Sequence, residues 1–184
     1  MLKLKQFYRD VLTGLNSMIF EKHSDDSYDC CDLNILNNEG ISENKILVTD
    51  STFVFFIEKS KFPFDINAVI GKPMIKSNQV IKNILDDFHT HQKMNLYNIK
   101  DIDSVITQNV HNRITNKDED RKLLIIENCA TNEKSWLSMQ VMKYVDLDNV
   151  YIFGTDDHHP FVITNKPRDF KDIEILGIIM PVCV

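Results

Sequence analysis

The chain has 184 residues, a net charge of −6 and a sequence pI of about 5.5. That acidity disfavours nucleic acid or an anionic membrane surface as the main partner. With 43% hydrophobic and 26% charged residues, a disordered or collagen-like chain is excluded, and one globular domain over residues 1–184 is expected.

Leu4, Phe7, Tyr8, Val11, Leu12, Leu15, Met18 and Ile19 recur at helical spacing and predict an N-terminal amphipathic helix. It ends at the polar cluster His23 to Ser27. Leu33 to Leu36, Lys45 to Thr49 and Thr52 to Glu58 read as strands, with Asp50-Ser51 closing a hairpin between the last two. Phe53 to Ile57 is apolar on both faces, which suits a central strand. Lys59 to Lys76 reads as a loop punctuated by Pro63, Gly71 and Pro73. Ser77 is a candidate N-cap for a helix carrying Val80, Ile81, Ile84, Leu85 and Phe88.

Asp101 is expected to start a further helix with Ile102, Val105, Ile106 and Val110 as its stripe, and Asn116 to Lys122 to form a solvated loop. Leu123 to Glu127 has a buried-strand pattern. Asn132 to Ser135 would open a helix containing Trp136, Leu137, Met139, Val141 and Met142, before a strand at Val150 to Phe153. Strand, helix and strand in that order predict a right-handed parallel crossover. Phe161 to Thr164 and Ile173 to Met180 complete the sheet. The expected fold is α+β or α/β: a single mixed sheet of about five to seven strands covered by helices, with Trp136 and Phe53 to Ile57 in the core.

Of the four cysteines, Cys30 and Cys31 are adjacent, Cys129 and Cys183 stand alone, and no C-x-x-C pair occurs. This spacing predicts buried free thiols in a reducing, cytoplasmic compartment. No signal peptide, prenylation box or apolar run near the ~20 residues of a membrane span is read.

The most suggestive cluster is Phe88-His89-Thr90-His91, followed by Asp101. Two imidazoles one residue apart and a later carboxylate have the donor chemistry of a zinc site. Water on such a metal is a nucleophile at neutral pH. The segment resembles the metal signature of JAMM/JAB isopeptidase-like proteins. That resemblance implies zinc ligands at His89, His91 and Asp101, Asn98 at the family's Ser position, and Glu39 or Glu58 as general acid/base. Gln92 stands where the family has Pro.

Asp50 with Glu58, Lys59 and Lys61 resembles the PD-(D/E)xK nuclease core, which implies two carboxylates on Mg²⁺ beside a lysine. Glu127 and the pair Asp156-Asp157 resemble parts of a Toprim metal site, although the Asp pair with His158, His159 and Pro160 also has turn composition. No Walker or dinucleotide loop is present, so no nucleotide cofactor is expected.

No motif is intact. The reading that follows is a small acidic binding or regulatory protein acting through contact with another protein. Size, charge and a composition rich in Asn, Lys and Ile point to the immunity or antagonist proteins of bacterial, phage or viral conflict systems. The alternatives are a zinc hydrolase and a nuclease.

Overall fold

A computed structural model of the chain describes residues 1–13, 34–36, 41–50, 52–64, 75–90, 94–99, 105–112 and 117–182. Its elements, in chain order, begin with α1 (Leu4–Thr13), β1 (Asn34–Leu36), β2 (Lys45–Thr49) and β3 (Phe53–Glu58). A 3₁₀ turn (Lys59–Lys61), α2 (Ile75–His89), β4 (Asn95–Ile99), β5 (Val105–Asn112), β6 (Lys117–Asn128) and β7 (Lys134–Ser138) follow. The chain continues through α3 (Met139–Met142), a second 3₁₀ turn (Leu147–Asn149), β8 (Tyr151–Gly154), β9 (Phe161–Thr164) and β10 (Ile175–Ile179).

The expected mixed sheet of five to seven strands under a layer of helices is overturned. The strands form one 10-stranded sheet in which every pairing is antiparallel, with three short α-helices among the described residues. Three misread segments account for the difference. Within the expected loop at Asn116 to Lys122, Lys117 to Lys122 is strand: it opens β6 and pairs with β5. The stripe Val105, Ile106 and Val110 also lies on a strand, where β-branched residues pack well on a pleated surface. Lys134 to Ser138 is strand rather than helix: Ser135 and Leu137 are buried while Trp136 and Ser138 are half-buried, a period of two. Trp136 is therefore not a core residue.

The parallel crossover fails for a further reason. β4 was not foreseen, and it pairs with both β6 and β8, so it lies between the two strands that the crossover would have joined. Ser77 lies inside α2 rather than at its start. The hairpin of β2 and β3 and the central place of β3, between β2 and β10, are as expected.

Alternation along the strands gives the sheet two buried faces. Ile46, Val48, Phe55, Ile57, Ile126, Ile152 and Ile163 join Phe7 and Val11 of α1 in one cluster. Leu47, Phe56, Phe153, Val162 and Ile178 join Ile81 and Phe88 of α2 in the other. The first face is stitched by rings: Phe7 meets Phe55 at 5.7 Å and Tyr144 at 5.2 Å, both edge-on. A Cβ at position 154 would lie 2.3 Å from the Phe161 ring, which is why glycine ends β8.

The register also shows how β4 to β7 are arranged. Leu123 and Leu124 pair with both β5 and β7, and Ile126 and Glu127 pair with both β4 and β7. A strand has two edges, so β4 and β5 share one edge of β6 and β7 takes the other. The sheet curls: the Val182 N–H, just beyond β10, donates to the Trp136 carbonyl of β7 at 2.8 Å. In the sheet order, β9, β8, β4 and β6 separate those two strands.

Candidate functional site

The residues proposed for the zinc site are only partly described. His89 is exposed on the last turn of α2, its ring 5.4 Å from Phe88. A cation is favoured at that helix end. Glu39, His91 and Asp101 lie outside the described residues. Among the described residues no three His, Cys, Asp or Glu side chains converge as a metal site would require. Asn98 pairs with Glu127 across β4 and β6.

Asp50 and Glu58 are not brought together. In the β2–β3 hairpin, Thr49 faces Val54 and Lys45 faces Glu58, so Asp50 sits at the turn and Glu58 at the far end. Asp50 accepts hydrogen bonds from the Thr52 hydroxyl (2.6 Å) and N–H (2.8 Å), a turn-capping role. Its surroundings withhold water, and this outweighs those bonds, so its pKa is raised. Glu58 accepts from Lys61 at 2.8 Å, which holds its carboxyl below the usual range and keeps it ionised.

β6 and β8 both run antiparallel to β4, so Glu127 and Asp156-Asp157 do reach the same end of the sheet, on either side of β4. Glu127 is buried within β6. Asp156 is committed to the turn: it accepts from the N–H groups of His158 (2.8 Å) and His159 (3.1 Å), and its carboxylate is 2.7 Å from His159 Nδ1. The His159 contact is the main cause of its lowered pKa. This is the turn that the composition suggested. Cys129 is exposed at the same end, contrary to the expected burial; Cys30, Cys31 and Cys183 lie outside the described residues.

Two arrangements of charge escaped the sequence reading. The first docks α1. Asp10 is 4% exposed and receives the Lys143 ammonium at 3.1 Å and the Tyr144 hydroxyl at 3.0 Å. Burial opposes its ionisation, but the Lys143 and Tyr144 hydrogen bonds and the Lys143 and Arg9 charges outweigh burial and lower its pKa.

The second is the loop between β9 and β10. Asn165 and Glu174 close its base: the Asn165 N–H donates to the Glu174 carbonyl (3.1 Å), and the Glu174 N–H donates to Asn165 Oδ1 (2.8 Å). Lys45 holds the Glu174 carboxylate at 2.6 Å. Arg168 anchors the middle, its guanidinium 4.9 Å from the Phe88 ring centroid and 4.8 Å from that of Phe153. Its Nε and Nη2 are buried with no hydrogen-bond partner among the described residues, and burial lowers its pKa against the pull of Asp169.

With base and middle held, the run Asp169-Phe170-Lys171-Asp172 faces water, and Phe170 is 56% exposed. The Phe170 N–H donates to the Pro167 carbonyl at 3.2 Å, and Lys166 approaches Asp172 at 3.8 Å. Chemically this is a contact surface: a large ring on a braced loop, flanked by carboxylates. The only sequence signal was a phenylalanine in an otherwise polar stretch, which an alternation scan passes over.

Compared with models of known protein families, with curated proteins and with solved structures, the chain matches none of them.

Proposed function

We propose that this chain is a binding or regulatory protein that acts in the cytoplasm through contact with another protein, in the manner of immunity or antagonist proteins. The observation that carries the reading is Phe170, an exposed ring at the apex of a loop braced by Arg168, Asn165 and Glu174. Exposed aromatic anchors on preorganised surfaces are typical interface hot spots. Asp169 and Asp172 beside it favour a partner with an apolar pocket rimmed by Lys or Arg. The free, exposed thiol of Cys129 fits a reducing compartment.

The test is retention of a partner from cytosol of the source cells on the immobilised full chain, beside a Phe170→Ala variant. The wild type should hold one protein in stoichiometric amount. Truncation of a hot-spot ring costs 2 kcal/mol or more, so the variant should bind about 30-fold more weakly with an unchanged melting temperature. Equal retention by both forms would remove Phe170 from the interface, and no retained protein would remove the reading.

A further inference from the structure

We propose that two copies of the chain pair through the outer edge of β5, continuing the sheet across a two-fold axis. β1 presents three described residues. The outer edge of β7 already receives the Val182 N–H. β5 and the first half of β6 are different. Because β4 and β5 share one edge of β6, and β8 pairs with β4 and β9 but not with β5, β5 has no strand on its outer side among the described residues. β7 covers Leu123 to Glu127 of β6, so on that side no described strand pairs with Lys117 to Lys122.

Open edges are templates for pairing unless charge or proline guards them. The two edges of this ribbon differ in that respect. Lys117 to Lys122 reads Lys-Asp-Glu-Asp-Arg-Lys, every residue charged. Paired with its own copy about its middle, that edge always sets a carboxylate, Glu119 or Asp120, opposite itself, and about Glu119 every pair is like-charged. Val105 to Asn112 reads Val-Ile-Thr-Gln-Asn-Val-His-Asn, with no Lys, Arg, Asp, Glu or Pro and with four β-branched residues. Of the two, β5 is the edge built to accept a strand.

Its own copy is the occupant that fits. A two-fold axis normal to the sheet requires one residue to stand opposite itself, because facing residues point to the same side. Overlap is greatest when that residue is Gln108 or Asn109. Both carry amides, which donate and accept and so are self-complementary. The remaining pairs set β-branched or amide residues opposite one another, apart from His111, and bring no two charges of the acidic chain together. One strand pair buries less than the ~1,600 Å² of a standard interface, so a dissociation constant in the micromolar range is expected. The dimer does not depend on the Phe170 surface.

The experiment is sedimentation equilibrium of the full chain from about 5 to 500 µM, with two variants. Asn109→Lys places an ammonium next to the axis in both copies. It also faces Asp120, which Asn109 already bonds at 3.1 Å within the monomer, so the fold should hold. Dimerisation should weaken at least about tenfold with the melting temperature retained. Lys122→Gln, on the charged edge, should leave the constant unchanged. A wild type that is monomeric throughout, or a dimer indifferent to Asn109→Lys, would overturn the proposal. So would a dimer altered by Lys122→Gln instead.

Discussion

The two longer helices dock on opposite faces of one sheet, and at each a charge withdrawn from water is compensated in a different way. On the α1 face, Asp10 is neutralised by Lys143 and Tyr144. On the α2 face, Arg168 has no ion pair among the described residues; its guanidinium sits over the rings of Phe88 and Phe153, which also touch each other. The first solution is electrostatic and follows pH. The second rests on ring quadrupoles and on the weak hydration of guanidinium, and pH hardly touches it. A buried charge needs compensation, but the compensation need not be a counter-charge.

The strongest way to break this comparison is Phe88→Ala. The ring is fully buried, touches Phe153 and carries one face of the Arg168 stack. Its loss should cost ~3–5 kcal/mol in urea unfolding, by transfer and cavity terms together. A cost below ~1 kcal/mol would show that α2 does not dock through this ring.

Lys143→Ala should come next. It leaves the buried Asp10 carboxylate with less compensation and should cost about 2–3 kcal/mol. The pH dependence has a definite sign. Because the folded pKa of Asp10 is lowered, its contribution is complete above the unfolded value of ~3.9 and is lost as pH falls through the folded value below it. Melting temperature against pH should therefore fall in acid for the wild type. It should fall less for Asp10→Asn, which starts lower at neutral pH. Parallel curves would show that Asp10 is not the titrating contact.

The smallest effect sharpens the other half of the comparison. Arg168→Met keeps a long side chain over the two rings and removes two buried donors. The change should stay within ~1 kcal/mol of wild type, with stabilisation the expected sign. A loss above ~2 kcal/mol would mean that the cation–ring contact outweighs the buried donors and that the two faces are docked with similar strength.

Local reading succeeded where a segment carried its own pattern. α1, α2, β2, β3 and β9 were legible because the period of their apolar residues is unambiguous, and Asp50 sits in a turn where its short side chain caps N–H groups. It failed where the pattern was short or polar. β4 holds Leu96, Tyr97 and Ile99 among asparagines, too little alternation to announce a strand. The charged start of β6 is strand only because β5 pairs with it. Such strands get their stability from a partner distant in sequence, and no window of one segment contains that information. The site was less legible still. Asp10 meets Tyr144 across 134 positions of chain, and Arg168 reaches rings on α2 and β8.

By itself, then, the sequence determined composition, charge, the apolar segments and several turns, because those depend on residues near one another in the chain. Tertiary structure alone decided that the sheet is antiparallel throughout, that β4 separates β6 from β8, and that β5 pairs with β6 alone among the described strands. It alone decided which charges are buried, and with what. Strand pairing and burial are non-local: each is set by whichever surface the rest of the chain brings alongside, and the same residues read in isolation fit more than one answer.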